Sequence, residues 1–299
     1  MIHAFGKHIH WSESLYFSFY DRAKDLCGFM MIELKPNMSV KEMFCYLLMP
    51  DGSMVSLREP VPFDRPTLDA KGLRFDIIEP EKRWGVSFVG GMERSIERKT
   101  KKSHVEVELQ FDALNEVFDH RVRVSAEGGK MPAGKASGHV EQVGRFTGRI
   151  SSGLDDFTID TSGERSHSWG VRDWGASKGW TRLTCQFSES HALGLTRTVT
   201  DEGPTDSGFV FMDGRNVPVA AADLNVNVDF DKNPKSFDMT IHDELGGDHK
   251  VFGSVIKRVG VHFKSLDGNT MTVMNEALTR YTIAGKNGYG IAEFLSRTE

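Results

Sequence analysis

Cysteine is scarce in this sequence: three residues in 299, at positions 27, 45 and 185. The odd number and scattered spacing exclude a disulfide frame and suit reduced, buried small side chains. Long apolar runs are absent too. No window approaches the roughly 18 consecutive apolar residues of a membrane-spanning helix. The first residues, Met1 to Trp11, carry three histidines and a lysine but no signal-type apolar core. A cytoplasmic protein with no membrane span is therefore expected.

Charge of one sign is not concentrated anywhere. The net charge is −5, and the densest basic cluster, Arg94 to Lys102, is interrupted by Glu97. That argues against nucleic acid or an anionic membrane as the main partner. A Gly-x-Ser-x-Gly elbow, a phosphate-cradling glycine loop and a dinucleotide fingerprint are all missing. No metal site is expected: His8 and His10 alone, two apart, lack a matching ligand cluster. Cys185 with His191 has no orienting partner for a thiol nucleophile.

Helical periodicity is also lacking; no amphipathic helix exceeds about two turns. Short strands fill the chain instead. Val105, Val107, Leu109 and Phe111 alternate with Glu106, Glu108 and Gln110, the period-two signature of a half-buried antiparallel strand. Pro50-Asp51-Gly52 and Asp213-Gly214 mark hairpin turns, because Asp-Gly supplies the positive backbone angles a tight turn demands. Asp112 to His120 reads as a short helix or a loop, and 128–138 as a surface loop. The fold class is all-β. About 300 residues exceeds one small barrel, so two consecutive antiparallel β-barrel or sandwich domains are expected, 1–160 and 161–299.

One stretch is unlike the rest. Arg165-Ser166-His167-Ser168-Trp169-Gly170-Val171-Arg172-Asp173-Trp174 packs two arginines, a histidine, an aspartate and two tryptophans into ten residues. Large aromatics favour burial, and charges buried beside them must be paired. The stretch is either a polar network locking sheets together or a pocket lining. Residues two apart in a strand share a face. Arg165, His167 and Trp169 therefore face one way if the segment is extended. His139 and Glu141 share a face in their own strand.

This stretch, with Gly138-His139-Val140-Glu141-Gln142-Val143-Gly144, resembles the signature of the AttH-like and hydroxyneurosporene synthase-like proteins. That group is related to tocopherol cyclase and to lipocalin-like Diels–Alderases. Leu15-Tyr16-Phe17-Ser18-Phe19-Tyr20 and Tyr289-Gly290-Ile291-Ala292-Glu293-Phe294 resemble the same family. One departure is Ser166, where many relatives carry an aspartate ahead of the histidine. The resemblance implies two lipocalin-like barrels and an apolar small-molecule ligand. It also implies chemistry without redox cofactor or metal: hydration, cyclisation or isomerisation of olefinic lipids and terpenoids.

Such chemistry needs a proton donor or acceptor of tuned pKa, an aromatic wall and exclusion of water. Glu141, His167 and Asp173 are the candidate catalytic residues. His139, Trp169, Arg172 and Trp174 are the candidate substrate-binding residues. The alternative keeps the barrel as a non-catalytic carrier of a lipophilic ligand. Arg172 with Asp173 is then a structural ion pair, and the tryptophans are core.

Overall fold

The computed structural model describes residues 2–97, 99–121, 138–171, 178–265, 268–269 and 271–298. The chain divides into two compact units, Met1–Val117 with His139–Val171, and Phe118–Gly138 with Arg172–Glu299. Both are antiparallel β-barrels, the all-β fold of lipocalin-like kind that the sequence led us to expect.

The chain forms β1 (Trp11–Asp21), β2 (Leu26–Lys35), β3 (Val40–Leu48), β4 (Met54–Pro62), β5 (Asp69–Ala70), β6 (Leu73–Glu79), β7 (Arg83–Ile96), β8 (Lys99–Ala113), β9 (Phe118–Asp119), β10 (Gly138–Ser152) and β11 (Asp155–Val171). Of these, β9 belongs to the second unit. The first sheet runs β4-β3-β2-β1-β11-β10-β8-β7-β6-β5, and β4 also pairs with β7. That last pairing, from Met54–Ser95 to Ser56–Glu93, closes the strands from β4 round to β7 into a ring.

Alternation along β1 decides what fills this ring. Leu15, Phe17 and Phe19 point inward and are buried, whereas Tyr16, Ser18 and Tyr20 face the other way. Across the ladder Phe17 lies opposite Arg165, Leu15 opposite His167 and Glu13 opposite Trp169. Residues opposite one another in an antiparallel pair share a face. The inward rows of β1 and β11 therefore run from aromatic to ionisable along the barrel. At the aromatic end, Phe17, Phe19, Phe111 and Phe146 pack edge-to-face or tilted at centroid distances of 5.1–6.3 Å. Each such buried ring contributes roughly 1.5–3 kcal/mol.

The second unit follows with β12 (Gly179–Ser188), β13 (His191–Thr200), β14 (Gly203–Met212), β15 (Arg215–Val228), β16 (Pro234–Asp243), β17 (Asp248–Lys264), β18 (Met271–Ile283) and β19 (Lys286–Thr298). These eight strands close in sequence order into a barrel. Its core cluster is apolar, with Leu183, Leu195, Phe237, Met239, Ile241, Ala277, Tyr281 and Ala292 among its residues. The Tyr281 hydroxyl donates to the Ile291 carbonyl at 3.1 Å, which satisfies the polar end of the largest ring there.

Three details differ from the expectations. The break expected between 160 and 161 falls inside β11, whose ladder with β1 extends from Gly163 to Val171. The first unit therefore runs on to Val171, while segment 118–138 belongs to the second. Segment 112–120 ends β8 at Ala113 and supplies the two-residue β9. Period two is not kept along every strand, though β15 runs unbroken from Arg215 to Val228. A register shift between Val219 and Ala221 breaks the period of two without breaking the ladder. The expected surface loop of 128–138 lies almost wholly outside the described residues.

Candidate functional site

At one end of the first barrel the inward rows become chemical. Glu13 is fully buried. Its Oε1 lies 2.7 Å from His167 Nε2 and 2.7 Å from His3 Nδ1. The backbone N–H of His3 donates to both carboxylate oxygens, at 3.1 and 3.0 Å. The His3 ring stacks on Trp169 with centroids 3.9 Å apart and planes 14° from parallel. His167 lies 5.2 Å from Trp169 and 5.3 Å from His3. One carboxylate, two imidazoles and an indole thus form a single group.

Local sequence explains each position. Glu13 sits on β1 between the buried Trp11 and Leu15, in the row that otherwise carries apolar side chains. His167 and Trp169 take the same face because β11 is extended through Val171. His3 comes from the irregular segment before β1. That segment is held across the barrel end by Phe5 against Trp11 and Phe63. Asn37 adds donations to the carbonyls of Gly6 at 2.7 Å and His8 at 2.8 Å.

The electrostatics separate the roles. Burial pushes Glu13 up, but the hydrogen bonds from His167 and His3 outweigh it and hold the carboxyl below its ordinary value. Burial depresses His167 more than the Glu13 hydrogen bond and charge raise it. At neutral pH the pair is a carboxylate and a neutral imidazole. The carboxylate can only accept, so His167 donates through Nε2 and keeps a lone pair on Nδ1. Glu13 therefore fixes the tautomer and the ring, as the buried acid of a catalytic dyad does.

Arg165 lies further into the same barrel and is buried. Its Nε and Nη2 donate to Gln142 Oε1, and its guanidinium carbon sits 4.9 Å from the Trp84 ring centre. Gln142 in turn donates to the carbonyls of Glu81 and Asn115 at 2.9 and 2.8 Å. Among the described residues no carboxylate makes an ion pair with Arg165. Burial brings its pKa down to about 10, with the Glu81 charge opposing.

Glu141 and His139 lie on the other face. They alternate with Gln142, which meets Arg165 inside, and so they project outward. His139 Nε2 is 2.9 Å from Glu141 Oε1, and His139 Nδ1 is 2.6 Å from Ser168 Oγ. The structure therefore divides the expected constellation. His167 and Trp169 are together inside; His139 and Glu141 are together outside. Arg172, Asp173 and Trp174 lie outside the described residues. Ser166 points outward with Ser168, so a carboxylate at 166 on this strand would face away from His167. The orienting acid here is Glu13.

Glu13 and His3 escaped the sequence reading. A lone glutamate in the inward row Trp11, Glu13, Leu15, Phe17 was a usable signal for the first. Nothing marks His3, which is irregular and 164 positions from its imidazole partner. His3, Glu13 and His167 each offer a ligand atom, all within 4.8 Å of one another. A divalent cation there would have to displace the imidazole N–H groups that now point at the carboxylate. His8 and His10 are exposed or partly so, with rings 5.7 Å apart. The three cysteines are buried and form no disulfide, and burial alone pushes the Cys45 thiol up to about 12.

Fold and site together define a double β-barrel protein with a histidine–carboxylate group inside its first barrel. The chain belongs to the family described as Domain of unknown function (DUF7064), whose model matches residues 1–298. Comparison with curated proteins gives no match. Among solved structures, an AttH-like protein from Nitrosomonas europaea is similar with a TM-score of 0.62 at 10% identity, covering 95% of this chain and 92% of that one. CghA with Sch210972 is similar with a TM-score of 0.59 at 10% identity, covering 97% and 88%. Kievitone hydratase from Nectria haematococca gives 0.60 at 9% identity, covering 95% and 88%. At these identities the likeness is one of fold.

Proposed function

We propose that this protein is a cofactor-independent acid/base enzyme, a hydratase, cyclase or isomerase. Its substrate is a hydrophobic small molecule, a terpenoid, polyketide, steroid or aryl compound, taken into the first barrel. The observation that supports this most is the neutral His167, held by the buried carboxylate of Glu13 beside the face of Trp169. His167 Nδ1 takes a proton from a carbon or hydroxyl of the substrate and returns it elsewhere. Glu13 stabilises the imidazolium formed in between. The Trp169 face accompanies a flat olefin or a developing cation, and the segment around His3 keeps water out. A structural neighbour named as a hydratase accords with this chemistry. The roles expected of Asp173, Arg172 and Trp174 concern residues outside the described ones, and no part of this step is assigned to them. Glu141 and His139, on the opposite face, drop out of this particular step.

The test is incubation with a panel of olefinic substrates in heavy water, reading deuterium incorporation by mass spectrometry. His167→Asn and Glu13→Gln should each lower turnover by about 10²–10⁴-fold, the scale of a lost general base. Both variants should still bind ligand. Incorporation that persists in both would overturn the assignment. The second reading, a lipocalin-like carrier, predicts tight ligand binding with no incorporation in any form.

A further inference from the structure

The outer wall of the first barrel carries a relay that the proposed reaction does not use. Ser168 Oγ lies 2.6 Å from His139 Nδ1, and His139 Nε2 lies 2.9 Å from Glu141 Oε1. Ser168 and Glu141 are 5% and 2% exposed, and His139 is half-buried. The order is hydroxyl, imidazole, carboxylate, each within hydrogen-bond reach of the next. This is the arrangement that activates a serine nucleophile, recognised by geometry and roles whatever the fold. No Gly-x-Ser-x-Gly elbow is needed, because two neighbouring strands supply the residues. Ser168 is on β11, and His139 and Glu141 are on β10, two apart and hence on one face.

We infer that Ser168 is a nucleophile toward activated acyl esters, with His139 as its base and Glu141 as the group orienting that base. Glu141, as a carboxylate, accepts a hydrogen bond from the Nε2–H and leaves the Nδ1 lone pair facing the hydroxyl. Ser168 Oγ attacks the ester carbonyl, and its proton passes to His139 Nδ1. The bond to the alkoxide leaving group then breaks, and that alkoxide takes the proton back from His139. Water, activated by the same nitrogen, hydrolyses the acyl-serine to a carboxylic acid and restores the hydroxyl. No oxidant, reductant or metal enters the balance. The inference is independent of the chemistry proposed at His167.

The test is treatment of the full-length protein with diisopropyl fluorophosphate, which loses fluoride and leaves a phosphoryl group on an activated serine. Intact mass and peptide mapping give the result. One adduct is expected, on Ser168, absent in Ser168→Ala. It should form about 100-fold more slowly in His139→Gln, the scale of a missing general base, and more slowly also in Glu141→Gln. p-Nitrophenyl butyrate should give a burst of nitrophenolate in the wild type and none in Ser168→Ala. Circular dichroism establishes that each variant is folded. The wild-type labelling stands as a test even where a variant does not fold. A wild-type protein that takes no label overturns the inference. So does an adduct mapped to Ser14 or Ser166, or undiminished labelling of folded His139→Gln.

Discussion

The two barrels bury charge in different ways. In the first, Glu13, His167 and Arg165 occupy inward positions, and Arg165 meets the neutral Gln142 and the Trp84 ring. In the second, the core cluster is apolar, and the ionised pair on its inward row, Arg197 and Asp206, is matched directly at 2.7 Å. Its prominent buried ions, Arg182 and Glu293, are paired directly on the outward row, since both alternate with the core residues Leu183, Ala292 and Phe294. A matched outward pair suits a structural role: the charges satisfy each other and leave the core alone. The inward ionisable groups of the first barrel, Glu13, His167 and Arg165, are instead clustered and desolvated, the pattern that marks a candidate site.

That contrast can be broken experimentally, beginning with the largest effect. Replacing His167 by Asn should lower turnover by up to about 10⁴-fold with modest change in melting temperature, whereas substitutions on the Arg182 side should do the reverse. Glu293→Ala should cost about 3–5 kcal/mol in chemical denaturation, because it removes a carboxylate paired with the buried Arg182. Arg182→Met combined with Glu293→Leu should recover most of that loss. Arg165→Met should cost only about 1–2 kcal/mol, since the partner it abandons is the amide of Gln142 and not a charge.

A smaller effect should be common to both barrels. Gly28 lies opposite Phe19 and Gly253 opposite Phe237. A Cβ would sit 2.4 Å from the Phe19 ring at the first position and 2.1 Å from the Phe237 ring at the second. Each glycine lets an inward ring lie flat on the neighbouring strand. Gly28→Ala and Gly253→Ala should each cost about 1–3 kcal/mol, read from denaturant midpoints. A neutral result at one site only would show that its barrel repacks more readily.

The subtlest test is pH. His167 is held below its ordinary value of 6.5 chiefly by burial, and Glu13 below 4.5 by its hydrogen bonds against burial. Both folded-state values are depressed, so the unfolded chain binds more protons and stability falls as pH falls. The His167 contribution is complete above about 6.5 and is lost as pH drops through its folded value; the Glu13 contribution is lost lower still. His191 of the second barrel is depressed as well, by burial first and then by His249 and Lys286. His167→Gln and His191→Gln should each flatten part of the acid limb of a stability–pH curve. Only His167→Gln should remove the acid limb of the turnover profile.

Much of the fold was legible because period-two alternation and Asp-Gly turns are local signals. Val105 to Phe111 alternates as read, within β8, and Asp213-Gly214 lies between β14 and β15. The bulges in β15 and β17 were not legible, because a single extra residue resets the alternation. Of the site, the shared face of His167 and Trp169 was readable from their spacing, as was that of His139 and Glu141. That these pairs lie on opposite faces was not, because parity within one strand says nothing about parity in another.

The sequence by itself determined the class of structure, the strand-rich grammar of two barrels, and the stretch in which chemistry would be found. Period-two patterning is written into consecutive residues and needs no partner to be read. The tertiary structure decided which charged groups meet. Glu13 reaches His167 across 154 positions because β1 and β11 are ladder neighbours in register. His3 joins them because the segment before β1 folds across the barrel end. Register and closure are set by the whole set of strand pairings, so no local window of sequence could contain them.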